Sequence, residues 1–375
     1  MRQNKFSIFC KMKIAILADA IDNQNAGVHV YTKNLIQALL KIDQKNQYIF
    51  IHPEKNSFFE KTTHYIVPRR KKIPGYETYR RWIQIPNIFK ILAPDIIIET
   101  SHIGPFRTPK KSKRVTIIHD LTPIIFPQFH IKNSVIVHKI ALPHIFKNAD
   151  LIITPSQNTK NDILKLYKTK NNVAVIPEGI IPPNLDPTLF SSNQNLKNIS
   201  PPYILFLGTI EPRKDLETLI NAFLELKNSN FIHHQLVLAG GIGWKNKELL
   251  KKIANHHKNI ILTDYVSEDE KASLYKHADI FVYPSLYEGF GLPPLEAMSY
   301  GIPVICSTGG SLKEIFEKHA LMFEPKNKEL LKSHILKLIN NPDSRQKLVQ
   351  EGLEYSKQFT WEKTAKKVLA ELEKL

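Results

Sequence analysis

Short apolar runs alternate with amphipathic stretches along most of the chain. The runs are rich in β-branched residues and contain few polar side chains, which is typical of strands buried on both faces of a parallel sheet. Strands are predicted at residues 14–17, 48–51, 96–98, 115–118, 151–153, 173–176, 203–207, 235–239, 260–262, 280–283 and 303–305. Helical periodicity is clearest between them at 30–40, 216–226, 247–254 and 268–277. This alternation predicts an α/β protein with doubly wound sheets.

The periodicity breaks at residues 181–202, where Pro, Asn and Ser are frequent. We interpret this segment as a linker between an N-terminal domain at 1–180 and a second domain at 203–355. Each domain is predicted to be Rossmann-like, and the two are expected to face a central cleft. Ligands of such sheets bind beyond the carboxyl ends of the strands, so motifs directly after strands are the first candidates for function.

Composition narrows the class of protein. The chain has 375 residues, enough for two domains with a core each. Cys10 and Cys306 are its two cysteines and lie far apart, which excludes a disulfide framework or zinc cluster and favours a cytoplasmic location. No apolar run approaches the roughly 18 residues of a membrane span. The first residues resemble a signal sequence, but lysines interrupt them, so we expect a buried strand from residue 13 and regard Met12 as a second candidate start.

The net charge of +17 is unevenly distributed. Residues 1–190 hold 28 Lys+Arg against 13 Asp+Glu, whereas the remainder holds 24 against 22. An anionic membrane and nucleic acid are the natural partners of so basic a half.

The basic residues concentrate in one region, where they interleave with aromatic and aliphatic side chains. This region contains Arg69, Arg70, Lys71, Lys72, Arg80 and Arg81 together with Tyr76, Tyr79, Trp82, Ile83 and Ile85. The combination favours peripheral contact with an anionic membrane. Nucleic acid is not expected as a partner, because no nucleic-acid module surrounds the region. A solvated loop with its own apolar anchor is the alternative.

The segment LFLGTIEPRKDLETLI contains the first candidate site. A strand ends at Gly208 and a helix begins near Asp215, which places Arg213 and Lys214 in the turn at the helix N-terminus. The helix dipole disfavours cations there, so their presence indicates an anion between them, most simply a phosphate or diphosphate. A solvated Arg-Lys pair in a surface loop is the alternative.

A second candidate is LYEGFGLPPLEAM, which follows a strand. Gly289 and Gly291 allow the backbone to approach a ligand closely, and Glu288 and Glu296 bracket them. The helix dipole alone accounts for Glu296, which lies in a predicted first turn, but it does not account for Glu288.

Two strand ends of the first domain complete the set. His119 and Asp120 close one strand and are either an acid/base pair, sugar-hydroxyl binders or a structural cap. The first strand is followed by Gly27 without the pattern G-x-G-x-x-G, which disfavours a dinucleotide cofactor. The alternative is that Gly27 alone approaches a phosphate or a sugar.

Taken together, GTIEPRKDLETLI, PSLYEGFGLPPLEAMSYGIPVI, IIHDLTPIIFP and ADLIITPSQNTKNDI resemble glycosyltransferase family 4, retaining enzymes of the GT-B fold. The last two segments are also similar to the subgroup that contains bacterial O-antigen mannosyltransferases. Asp215 departs from the family pattern, in which Asn is usual at that position. The resemblance implies that a final helix at 356–375 crosses back onto the first domain.

The resemblance also implies roles for the site residues. Arg213 and Lys214 would bind the diphosphate of a nucleotide-sugar donor, Glu288 would hold the donor sugar near its 3- and 4-hydroxyls, and Glu296 would bind the ribose. No metal or other cofactor would be needed, since the two cations would stabilise the leaving diphosphate.

Four further contacts follow from the same resemblance. Gly27 would approach the diphosphate, His119 would contact the sugar near the anomeric carbon, and the backbone of Val266 would contact the base. The backbone N–H groups that contact sugar and phosphate would be those around Phe290, Gly291 and Leu292.

The predicted activity is transfer of a hexose, with retention, to a saccharide or lipid-linked glycan acceptor. GDP-mannose is the favoured donor and UDP-glucose the next. The transfer reaction is expected in the cytoplasm, on the inner face of the cytoplasmic membrane. A nucleotide-sugar epimerase of the same fold and a nucleic-acid-binding protein on a degenerate transferase scaffold are the alternatives.

Overall fold

The computed structural model describes residues 12–22, 27–70, 72–73, 75–105, 107–183 and 196–375. Cys10, Lys71, the residues before Met12 and most of the predicted linker therefore lie outside the described residues.

Seven parallel strands form the first sheet, in the order β3-β2-β1-β4-β5-β6-β7. They are β1 (Lys13–Leu17), β2 (Gln47–His52), β3 (Thr63–Ile66), β4 (Ile96–Glu99), β5 (Lys113–Ile117), β6 (Leu151–Thr154) and β7 (Asn172–Val175). Side chains alternate between the two faces of each strand, and in β1 both Ile14 and Ala15 are fully buried. Burial on both faces explains why these strands appear in the sequence as continuous apolar runs.

Six parallel strands form the second sheet, in the order β10-β9-β8-β11-β12-β13. They are β8 (Tyr203–Leu207), β9 (Gln235–Ala239), β10 (Ile260–Leu262), β11 (Ile280–Tyr283), β12 (Val304–Ser307) and β13 (Leu321–Phe323). All the predicted strands are present, and the doubly wound architecture is confirmed. The strands β3 and β13, which lie at sheet edges, were not among those predicted from the sequence. β3 has no buried residue, so it forms no apolar run, whereas β13 is an apolar run of only three residues.

Helices cover the sheets. They are α1 (Gly27–Ile42), α2 (Tyr76–Tyr79), α3 (Ile85–Leu92), α4 (Thr122–Ile125), α5 (Lys132–Asn148), α6 (Gln157–Tyr167), α7 (Leu216–Asn228), α8 (Lys247–Asn255), α9 (Glu268–His277), α10 (Leu292–Ser299), α11 (Ser311–Phe316), α12 (Lys328–Asn340), α13 (Pro342–Ser356) and α14 (Trp361–Leu372). In the first domain α1 and α14 pack on one face of the sheet, and α3, α5 and α6 pack on the other. No helix in the described part of the chain is both long and apolar enough to cross a bilayer.

The last helix, α14, packs on the first sheet although α13 belongs to the second domain. Trp361 and Val368 join the same apolar cluster as Ile14 and Ile16 of β1. The crossing is tight at Gly179, where a Cβ would lie 2.2 Å from the Trp361 nitrogen. The C-terminal helix therefore ties the two halves of the chain together.

Loops of the two domains also touch beyond the strand ends. The Glu314 carboxylate accepts hydrogen bonds from the backbone N–H groups of Gln157 and Asn158, each at 2.8 Å, and so caps α6 from the other domain. Asn158 also donates to the Tyr287 hydroxyl at 2.7 Å. These contacts place the loop after β11 next to the first domain.

Candidate active site

A buried ion cluster lies where β8 and β11 end. The Glu288 carboxylate pairs with Arg213 Nη1 at 2.8 Å and with Lys214 Nζ at 2.6 Å. Lys214 also donates to the Tyr283 hydroxyl at 2.6 Å. Lys214 is only 6% exposed, so the interpretation of a solvated Arg-Lys pair was wrong. In this structure the anion between the two cations is Glu288.

The turn that carries the two cations is shaped by its neighbours. Pro212–Lys214 forms a 3₁₀ turn, and Asp215 then adopts the left-handed conformation with φ of 47° before α7 begins. The cations were expected at the N-terminus of this helix, but Asp215 separates them from its first turn. Asp215 is therefore a bend between the turn and the helix.

Arg213 joins the two loops. Its guanidinium also binds Glu211 at 2.6 Å and donates to the Tyr287 carbonyl at 2.8 Å, while the Leu286 N–H donates to the Arg213 carbonyl at 2.8 Å. Burial alone would raise the pKa of Glu288, but the adjacent Arg213 and Lys214 charges outweigh it and hold that pKa below its usual value. Glu288 is therefore ionised at neutral pH.

Two glycines shape the loop after Glu288. A Cβ at Gly289 would lie 1.9 Å from the His119 carbonyl oxygen, so the missing side chain lets the loops of the two domains meet. Gly291 has φ of 111°, which favours glycine, and caps α10. The Phe290 ring is buried in the core, the Phe290 carbonyl accepts a hydrogen bond from the Ser311 hydroxyl at 3.1 Å, and Leu292 begins α10.

Glu296 belongs to a separate cluster. Its carboxylate accepts a hydrogen bond from the Tyr275 hydroxyl at 3.0 Å and pairs with Lys271 Nζ at 3.1 Å. Val266 packs against the hydrophobic core of the second domain and lies just before α9, the helix that carries Lys271. The two glutamates that bracket the loop thus have different partners.

His119 and Asp120 also bind different partners. His119 Nδ1 lies 3.3 Å from the Glu178 carboxylate, and its Nε2 lies 3.0 Å from the Thr100 carbonyl. The Asp120 carboxylate accepts hydrogen bonds from the backbone and hydroxyl of Thr122 at 2.9 and 2.7 Å. The described contacts therefore give no support to a His119–Asp120 acid/base pair.

Gly27 is the first residue of α1, and a Cβ there would meet no atom within 4 Å. Its approach to a diphosphate stays a prediction.

The basic region is largely paired with carboxylates of its own domain. Arg80 is fully buried, with two hydrogen bonds to Asp19 at 2.7 and 2.8 Å, so its assignment to a basic surface was wrong. Arg69 binds Asp19 at 3.1 Å, and Arg81 binds Glu77 at 2.7 Å. The residues that remain exposed include Arg70, Lys72, Tyr79, Trp82 and Ile83.

Several members of the site were not among the residues predicted from the sequence. Glu211 and Glu178 follow β8 and β7, and the rule that strand ends carry function could have found both. Lys271 and Tyr275 lie on α9, a helix that the periodicity predicts but whose sequence contains no motif that indicates a binding site. No group of three or more His, Cys, Asp or Glu side chains within the described ranges could hold a metal ion.

Comparison with known proteins identifies the family. Residues 25–182 match the model of Glycosyltransferase Family 4, and residues 189–355 match that of Glycosyl transferases group 1. O-antigen chain mannosyltransferase B of Escherichia coli is 33% identical over 69% of this chain and 70% of its own. The serotype-specific mannosyltransferase WbdA of Escherichia coli is 27% identical over 68% of this chain, which spans only 32% of WbdA.

The fold is shared with solved structures. The crystal structure of HepE from Anabaena in complex with UDP and glucose superposes with a TM-score of 0.74 at 16% identity, covering 97% of this chain and 100% of HepE. The two parallel sheets are those of the GT-B architecture. This protein therefore belongs to glycosyltransferase family 4.

Proposed function

We propose that the protein transfers a hexose, with mannose favoured, from a nucleotide sugar to a saccharide or lipid-linked saccharide acceptor in cell-surface glycan synthesis. The observation that carries the proposal is the buried cluster of Arg213, Lys214 and Glu288 in loops of the second GT-B domain, one of which meets the first domain at Gly289. The mannosyltransferase names of the relatives support the sugar, and the UDP and glucose bound to HepE support a nucleotide-sugar donor. We favour GDP-mannose.

In the proposed reaction the configuration of the sugar is retained. The bond between the anomeric carbon and the leaving phosphate oxygen breaks, and the acceptor hydroxyl oxygen bonds to that carbon from the same face. The acceptor proton passes to the leaving phosphate oxygen. Arg213 and Lys214 stabilise the negative charge that develops on the diphosphate, and their positive charges can do so without a metal ion.

Glu288 neutralises the two buried cations while no donor is bound. A buried cation without a partner is costly, and Glu288 provides the partner before the donor binds. When the diphosphate arrives, it takes over the positive charges, and the Glu288 oxygens become free to accept hydrogen bonds from sugar hydroxyls. Each charge is then satisfied in both states.

The nucleotide would extend from this cluster toward α10. Glu296 would accept hydrogen bonds from the ribose, and the backbone of Val266 would contact the base. Backbone N–H groups around Gly291 would bind phosphate, and Gly27 would close from the first domain.

A thermal-shift panel of GDP, UDP, ADP and their sugars tests the donor. A ligand at 100 times its Kd stabilises the folded state by about 2.7 kcal/mol, and we expect GDP and GDP-mannose to give the largest shift. Lys214→Ala and Glu288→Ala should each abolish the response to the sugar nucleotide, whereas the exposed Lys357→Ala should not. Unchanged responses in both site variants would refute the assignment.

Product analysis separates the alternatives. NMR of the transferred sugar should show the anomeric configuration of the donor, and inversion would contradict retention. Isomerised donor without any acceptor would indicate an epimerase. Binding to DNA without any nucleotide-sugar turnover would indicate the nucleic-acid alternative.

We also propose that the first domain contacts an anionic membrane. Trp82 and Ile83 are 50% and 48% exposed, and the cations Arg70 and Lys72 of the same region are exposed as well, with the Arg70 guanidinium 5.3 Å from the centroid of the Tyr76 ring. A second patch on α5 includes Ile136 and Ile140, which are 54% and 66% exposed, and α5 contains no acidic residue.

The two patches belong to one layer of the domain. In the strand register Glu99 aligns with Thr116 and Thr116 aligns with Ile152, so Ile97 and Ile152 face the same side of the sheet. The helix α3, next to Trp82, packs on Ile97, and α5 packs on Ile152. Apolar side chains with lysines such as Lys132 and Lys139 around them suit a bilayer interface.

Vesicle sedimentation tests this contact. Ile136→Glu with Ile140→Glu, and Arg70→Glu with Lys72→Glu, should each weaken binding to anionic phospholipid vesicles. Phe231→Glu, which changes a 65% exposed side chain of the second domain, serves as the control. Unchanged binding by both double variants, or dimer formation that depends on Ile140, would overturn the membrane proposal.

A further inference from the structure

The carboxylate of Glu178 is buried and has one described side-chain partner. Glu178 lies three residues after β7, where the chain leaves the first domain, and is 6% exposed. Its only described side-chain ion pair or hydrogen bond is the one to His119 at 3.3 Å. A buried carboxylate requires a partner, so His119 and Glu178 depend on each other.

Both ring nitrogens of His119 face acceptors. Nδ1 faces the Glu178 carboxylate, and Nε2 faces the Thr100 carbonyl at 3.0 Å. A neutral imidazole has one N–H and can donate only one hydrogen bond, whereas the imidazolium donates two. The geometry therefore selects the doubly protonated form of His119.

The neighbouring histidine is in the opposite state. The backbone N–H of His119 donates to His102 Nε2 at 3.0 Å, so that nitrogen carries no proton. Burial lowers the pKa of His102 to about 3, despite the opposing Asp120 charge. His102 is therefore neutral, and the positive charge of this histidine pair resides on His119.

Other groups around His119 act in the same direction. The Tyr31 ring meets the imidazole edge to face, with the two ring centroids 4.7 Å apart. Asp120 is the next residue in the chain. Its carboxylate accepts a hydrogen bond from the Thr122 hydroxyl and interacts with the Arg213 charge. Burial would lower the pKa of His119, but the hydrogen bond and charge of Glu178, the Thr100 carbonyl and Asp120 together raise it above its ordinary value. The cation is thus stabilised by groups from four segments of the first domain.

We propose that Glu178 is a positioning residue that holds His119 as an imidazolium at the edge of the cleft, beside the loop that carries Glu288. A Cβ at Gly289 would lie 1.9 Å from the His119 carbonyl oxygen, so the backbone of His119 adjoins the loop that carries Glu288. The imidazolium adds a third positive charge for the leaving diphosphate, and its Nε2–H can pass from the Thr100 carbonyl to an oxygen of the donor. This inference rests on the proposed function in its catalytic part only.

Histidine titration by NMR tests the pair without any substrate. The His119 resonance is assigned by its loss in His119→Gln. Glu178→Gln keeps the shape of the side chain and removes its charge, and we expect the His119 midpoint to fall by about one pH unit, a tenfold loss of proton affinity. Glu178→Asp keeps the charge and should give an intermediate midpoint. A midpoint unchanged in Glu178→Gln overturns the proposal.

The pH profile of kcat/KM tests the role in the reaction. A histidine with a raised pKa keeps its charge to higher pH, so activity should be lost as pH rises through that pKa. In Glu178→Gln this alkaline limb should move to lower pH by the same interval as the NMR midpoint. A limb that stays in place while the NMR midpoint moves would show that the His119 charge does not serve catalysis.

A matched pair separates positioning from packing. His234 and Asp279 form another His-carboxylate contact at 2.8 Å, in the second domain, in which His234 is buried and Asp279 is partly exposed and also binds Arg345. Asp279→Asn should lower the melting temperature and leave the alkaline limb unchanged. If the wild type has no transferase activity, the proposed function fails, but the NMR titration still decides whether Glu178 sets the state of His119.

Discussion

Replacing Glu288 with Gln isolates the charge that neutralises the two buried cations. The variant keeps the volume of the side chain and removes the ion pairs of 2.8 and 2.6 Å with Arg213 and Lys214. Removal of one partner from a buried ion pair costs about 3–5 kcal/mol, because the remaining charge is left uncompensated. Arg213 keeps Glu211 and Lys214 keeps the Tyr283 hydroxyl, so we expect the lower end, about 3 kcal/mol.

Thermal and urea unfolding at pH 7 measure this loss. A domain of this size changes its melting temperature by roughly 2–4 °C per kcal/mol, which predicts a decrease of about 6–12 °C. The control is Glu225→Gln, since Glu225 also pairs with two lysines, Lys328 and Lys332, but is exposed. Solvent screens that pair, so the control should be close to the wild type.

The pH dependence has a definite sign. The pKa of Glu288 is lowered, so its contribution is complete above the ordinary carboxyl pKa of about 4.3 and is lost as pH falls through the lower value. Wild type and Glu288→Gln should therefore differ at pH 7 and converge in acid. Inorganic diphosphate should stabilise the variant more than the wild type, since it replaces the missing anion. A change within about 0.5 kcal/mol at pH 7, typical of neutral surface substitutions, would refute the reasoning.

Three further predictions follow from single contacts. Gly289→Ala places a Cβ 1.9 Å from the His119 carbonyl, so the loops must separate and donor affinity should fall at least tenfold in calorimetry, whereas Gly241→Ala, with no atom within 4 Å, should bind normally. Glu314→Gln weakens the cap on α6, worth about 1 kcal/mol, and should raise the radius of gyration in X-ray scattering; an unchanged radius would show that other contacts hold the domains together. Glu296→Gln should weaken GDP binding and leave inorganic diphosphate binding unchanged, and equal loss of both would contradict its assignment to the ribose.

Much of the fold could be predicted because burial on both faces of a parallel sheet leaves a local signal. The runs that became β1 and β8 are apolar for that reason, whereas β3 at a sheet edge has no such run. The site was predictable in part for a similar reason. Arg213 and Glu288 follow strands whose carboxyl ends meet at one edge, and strand ends are visible in the sequence.

The pairing of the site residues was not predictable in the same way. Lys214 and Glu288 lie 74 positions apart, and His119 and Glu178 lie 59 apart. No periodicity reports such contacts, because they arise when whole elements pack. The burial of Arg80 is a similar case, since a basic run appears as a surface until Asp19 is found beside it.

The sequence by itself determined the alternation of strands and helices, the two-domain architecture, the family and the positions of the charged motifs, since each of these is encoded in neighbouring residues. Only the tertiary structure decided that Glu288 neutralises Arg213 and Lys214, that Glu296 belongs to another cluster, and that Glu178 faces His119. The physical reason is that an ionised group in a low-dielectric interior is governed by the charge a few ångströms away, and that neighbour is set by packing rather than by chain order.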